Sequence, residues 1–148
     1  LQQPKELPVV DDHVWHIIVR GYGADDQHQD VFTTLCNYAG LNAFFYLVGN
    51  KEKNLQKCLS LVKINNKWSL FDVYNGVYFK NKEDKIASIE DLSSGNWQLV
   101  KLGEGIIVND YAPYLKSLDS TSFKNWKLLR PAIQSPIRRF ISWSRNKK

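Results

Sequence analysis

The chain has no methionine, only two cysteines and only three histidines in 148 residues. Cys36 and Cys58 are too few for a disulfide framework and lack the paired spacing of a zinc site. His13, His16 and His28 all precede residue 29, so no imidazole can come from the rest of the chain. No apolar run approaches the roughly 18 residues that a membrane-spanning helix needs. Leu1-Gln2-Gln3-Pro4-Lys5 is not a signal peptide, and a cytoplasmic location is favoured. A chain that starts at Leu1 without methionine reads as a fragment or a processed product. Acidic residues are missing from Ser120 onward, while eight basic ones occur there.

What is present defines a folded domain. The composition is 43% hydrophobic and 13% aromatic, which excludes a disordered chain. The length suits one domain with a real core. The net charge of +5 divides into −3 for residues 1–119 and +8 for residues 120–148. We therefore expect a core domain over 1–119 and a basic C-terminal extension over 120–148. This division excludes a uniform nucleic-acid coat, so nucleic acid is not the expected partner. An anionic membrane surface or an acidic partner could meet the extension through Arg138, Arg139, Trp143 and Arg145, interleaved with Phe140 and Ile141. The plain alternative is a solvated charged face.

Apolar spacing supplies the elements. Asp11 or Asp12 is placed to cap a short helix carrying Val14, Trp15, Ile17 and Ile18. Gly21-Tyr22-Gly23 then breaks the chain. Val31, Phe32, Leu35, Cys36 and Ala39 predict a helix over about 26–39, with Asp25 or Asp26 as N-cap and Gly40 after its end. Leu41 to Val48 reads as a buried strand, Leu59 to Ile64 and Lys67 to Val73 as a hairpin turning at Asn65-Asn66, and Val77 to Phe79 as a further strand. Ser88 caps a short helix, and Asn109 to Leu118 reads as another with Pro113 in its first turn. The end, from Pro136, reads as helical with Ile137, Phe140 and Ile141 on one face. This order predicts an α+β fold, an N-terminal helix packed on an antiparallel sheet.

Four stretches carry a resemblance. They are Arg20-Gly21-Tyr22-Gly23-Ala24-Asp25-Asp26-Gln27, the helix end Tyr38-Ala39-Gly40, the strand Leu41 to Leu47, and Leu61 to Asp72 with Trp68 inside. Together they resemble the transglutaminase-like superfamily, in particular its bacterial members, with Gln134-Ser135-Pro136-Ile137-Arg138-Arg139 weakly similar near the end. The resemblance implies a papain-like core with a Cys at a helix start, a His on a following strand and an Asp on the strand after that. A helix N-terminus and an imidazolium lower the thiol pKa, and the carboxylate orients the imidazole. Carried over residue by residue, the nucleophile falls on Asp25, or on Ala24 in the alternative alignment. The His falls on Lys57 and the Asp on Asp72. Only the third member keeps its type. The resemblance thus implies a catalytically inactive module with no cofactor and no metal. Its implied ligand is a peptide, a glycan or another protein, linked to surface polysaccharide. Tyr22, Asp26, Gln27, Cys58 and Trp68 are the cleft candidates, and Lys57 is expected within about 6 Å of Asp25 or Asp72.

Other chemistry competes at the same residues. Asp25, Asp26 and Asp72 could form a carboxylate pair for acid–base hydrolysis or transfer. Cys58, beside Lys57, could be a displaced nucleophile, whereas Cys36 reads as a buried structural thiol. His13 and His16 could share a helix face toward a metal but lack a third ligand. His28 reads as a surface or capping residue. Asp72 could simply bond local backbone amides at a strand end.

Overall fold

The computed structural model describes residues 13–50, 55–103, 110–116 and 118. The lead-in with Asp11 and Asp12, and the basic extension with Arg138, Arg139, Trp143 and Arg145, lie outside the described residues, as does the 119/120 boundary. Helix α1 (Val14–Arg20) is capped by His13, whose Nδ1 accepts from the Trp15 amide at 3.4 Å, rather than by an aspartate. Gly21 ends it at φ 76°, a left-handed value that glycine adopts without a Cβ clash. Helix α2 (Asp25–Tyr38) follows. Then come β1 (Ala43–Asn50), β2 (Leu55–Ile64), β3 (Lys67–Asp72), β4 (Val77–Lys80), α3 (Ile89–Ser93), β5 (Gln98–Lys101) and α4 (Ala112–Leu115).

The five strands form one antiparallel sheet in chain order. The fold is therefore α+β, as the element order predicts. The β2–β3 turn has Asn65 at φ 48° and Asn66 at φ 66°, the paired left-handed geometry of a tight hairpin. Ser88 caps α3 as expected, its hydroxyl accepting from the Asp91 amide. Several boundaries differ. β2 begins at Leu55 rather than Leu59, because it pairs with β1 along the full run from Ala43↔Val62 to Asn50↔Leu55. β1 is only half buried, with Tyr46 and Leu47 exposed. β5 was not expected, and the late helix is one turn, not the span 109–118.

Alternation along the strands divides the sheet into two unlike faces. On one face Leu59, Leu61, Leu70, Val77 and Phe79 pack with Ile89, Leu92, Tyr111 and Leu115 from α3, α4 and the segment before α4. Each such buried side chain contributes about 1.5–3 kcal/mol of transfer free energy. The other face receives α2, and here the helix is turned from the expected orientation. Its buried residues are Gln27, Gln29, Thr33 and Thr34, all polar. Ser60 Oγ donates to Gln29 Oε1 at 2.6 Å, and Asn37 Nδ2 donates to the Ala43 carbonyl at 2.7 Å. The apolar positions of α2 do not form its buried face. Phe32 reaches Phe71, ring centroids 5.6 Å apart, but Leu35 and Tyr38 are exposed and Cys36 is only half-buried. Burial pushes the Cys36 thiol above its usual pKa, away from reactivity.

Candidate functional site

The loop from Gly21 to Ala24 sets the start of α2. Gln27 Oε1 accepts from the Ala24 amide at 3.0 Å and from Arg20 at 3.3 Å, while Arg20 Nε donates to the Tyr22 carbonyl at 3.1 Å. A Cβ on Gly23 would meet Gln27 Oε1 at 3.0 Å and Ile17 Cγ2 at 3.2 Å, so glycine lets this loop close over the cap. The N-cap is Ala24, not Asp25 or Asp26; both aspartates lie in the first turn, where the helix dipole favours negative charge.

Asp72 ends β3 on the core face and is 0% exposed. Lys57 Nζ, from β2, lies 2.9 Å from Asp72 Oδ2. The Tyr111 hydroxyl donates to the same oxygen at 2.6 Å, and Asn75 Nδ2 donates to it at 2.8 Å. The Asn75 amide donates to Asp72 Oδ1 at 3.1 Å. Lys57 Nζ also stands 5.3 Å from the Tyr111 ring centroid. Asp72 therefore combines two expectations. It binds local groups at a strand end, and it pairs with Lys57.

Asp25 belongs to the same electrostatic cluster. Burial holds its carboxyl above the usual carboxylate range, helped by the charges of Asp72 and Asp26. The hydrogen bond from Gln29 Nε2, at 3.2 Å, and the Lys57 charge pull the other way. Burial, followed by the hydrogen bond and charge of Asp72, drives the Tyr111 phenol far above its ordinary pKa. The phenol is thus a committed donor. Two carboxylates thus share the charge of one ammonium, and the Tyr111 side chain contacts both Asp72 and Lys57.

The cleft candidates separate. Gln27 is a buried loop tie, Trp68 packs edge-on against Phe44 at 5.0 Å, and Cys58 is buried on the face opposite Lys57. Asp26 stays half-buried in the first turn of α2. Tyr22 lines an open apolar groove of about 260 Å³ between α1 and α2. His28, expected at the surface or in a cap, is half-buried; it lines that groove and meets the Tyr74 ring edge-on at 5.4 Å. Among the described residues no group of three or more His, Cys, Asp or Glu is arranged to hold a metal, and no helix is long and apolar enough to cross a membrane. His13 and His16 have ring centroids 6.3 Å apart. Tyr111 escaped the sequence reading entirely. It lies 39 residues beyond Asp72, and no local pattern links them. Comparison with family models, curated proteins and solved structures gives no match.

Proposed function

We propose that the chain is a catalytically inactive transglutaminase-like module that binds or scaffolds a peptide, glycan or protein. One observation carries this reading. The three positions that the resemblance assigns to a thiol enzyme, Asp25, Lys57 and Asp72, share one electrostatic cluster, and its aspartate Asp72 is fully buried and tied up within it. Asp72 is engaged by Lys57, Tyr111 and Asn75, so it has no free orientation toward a general base. Asp25 cannot replace a thiolate in acyl transfer. Acid–base hydrolysis needs carboxyls that face a cavity holding substrate, and the burial of Asp72 argues against that route. The link to surface polysaccharide rests on the resemblance alone.

The test restores the lost groups. In an Asp25→Cys/Lys57→His variant, the new thiol at the α2 start should titrate well below about 8.5, because imidazolium and helix dipole both favour thiolate. Absorbance at 240 nm against pH reads this directly. A thiol with an ordinary pKa in a folded variant would refute the assignment of these positions. Thiol-dependent peptidase or acyl-transfer activity in the wild-type chain, lost on Cys58→Ser, would refute the inactive module itself.

A further inference from the structure

A helix on a sheet normally buries its apolar stripe and shows water its polar side. Helix α2 departs from this: Gln27, Gln29, Thr33 and Thr34 are its buried residues, while Leu35 and Tyr38 are exposed. Spacings of three and four put Val31, Leu35 and Tyr38 on one ridge. Helix α1 carries exposed apolar side chains of its own, Trp15, Ile18 and Val19. Ile18 from α1 and Tyr22 from the loop after it, with Val31 and Leu35 from α2, line the same groove, so the exposed apolar sides of the two helices meet there.

The exposure is large. Val19 is 86% exposed, Tyr38 73% and Trp15 55%, with Ile18 and Leu35 also counted among the exposed large hydrophobics. Taking about 150–250 Å² for an aromatic side chain and somewhat less for an aliphatic one, these five leave roughly 500–600 Å² of apolar surface in water. That is at the upper end of the largest patch on a typical monomer, about 300–600 Å².

We infer that this α1–α2 face is the contact surface for a second copy of the chain. Two considerations select a second copy over an unrelated partner. The face holds both a convex ridge, Trp15 and Val19, and a concave apolar groove, so a two-fold axis can seat each ridge in the other's groove. Two such faces together remove roughly 1,000–1,200 Å² from water, just past the size that separates specific contacts from incidental ones. An interface at that lower limit belongs to the weak, transient class. This inference does not depend on the proposed function, because the Asp25–Lys57–Asp72 cluster plays no part in it.

Sedimentation velocity over a concentration series tests it. The expected result is a monomer that converts to a dimer as concentration rises through the micromolar range. Val19→Glu and Tyr38→Glu, at positions too exposed to disturb the fold, should each raise the Kd at least tenfold without altering the far-UV circular dichroism. A wild-type chain that stays monomeric through the millimolar range overturns the inference. So does a dimer that both variants leave intact. Flotation with phosphatidylcholine vesicles completes the test: a chain that stays monomeric in buffer yet floats, and loses flotation in Val19→Glu, assigns the face to a lipid surface and overturns the dimer.

Discussion

Removing Asp72 or its partner Lys57 is expected to cost very different amounts, and the difference is set by what each leaves behind. Asp72→Asn keeps the shape but removes the charge. Oδ2 now receives Lys57, Tyr111 and Asn75 Nδ2, and Oδ1 receives the Asn75 amide. An amide in that place must turn its own donor group toward at least one of these donors. It also leaves the Lys57 ammonium, whose side chain is only 12% exposed, without its partner. Breaking a buried pair in this way costs about 3–5 kcal/mol. Lys57→Met keeps the aliphatic stem and leaves Asp72 with three donors, so we expect about 1–3 kcal/mol. The double variant should be less destabilised than the sum, with a coupling of about 1.5–3 kcal/mol. Urea unfolding of the four chains measures this through the midpoint at constant slope. For a chain of this length each kcal/mol corresponds to roughly 2–4 °C in Tm. High salt should change the coupling little, because the pair is shielded from solvent. Additivity within about 0.5 kcal/mol would refute the reasoning and reduce the contact to a surface-type ion pair.

Three further outcomes follow from other parts of the molecule. Burial raises the Asp25 pKa, so the folded chain binds that proton more tightly than the unfolded one. Its contribution to stability is present below the unfolded value of 3.8 and is lost as pH rises through the folded value. Asp25→Asn should therefore exceed wild type in stability at pH 7 by less than about 1 kcal/mol, with the gain vanishing toward pH 3 in parallel urea titrations. An equal or weaker variant at pH 7 would show that the helix dipole outweighs burial. Ser60→Ala strands Gln29 Oε1 under α2 and should cost about 1–3 kcal/mol, while Ser60→Ala/Gln29→Leu recovers part of it, as read by thermal melts. Asn66→Val forces a β-branched residue to φ 66° and should cost about 1–3 kcal/mol, whereas Asn66→Gly is neutral or better by the same measurement.

How far the sequence reaches depends on the range of the force concerned. The Asn65-Asn66 turn, the Ser88 cap and the glycine after each of α1 and α2 are local preferences of a few residues, and they appear in the structure where the sequence puts them. Strand limits are less local. The start of β2 at Leu55 is dictated by its partner β1, which a single segment cannot show. The apolar spacing of α2 correctly gives a helix but misleads about its direction. Periodicity reports that one side is apolar, not which side meets the sheet, and hydrogen bonds such as Ser60 to Gln29 decided that.

The same division holds for the candidate site. Three histidines, all before residue 29, already deny the chain an imidazole at the position that Lys57 occupies. Composition and order alone determine that much, because no fold can supply a side chain the chain does not have. The sequence also puts Asp72 on the second strand of a hairpin that turns at Asn65-Asn66, while the extension of β2 that brings Lys57 beside it follows from pairing with β1. Only the tertiary structure brings Tyr111 across 39 residues to close over them, and only it turns the apolar ridge of α2 outward. Both depend on packing between segments distant in the chain, where the outcome is set by which surfaces exclude water together and not by the preference of any one segment.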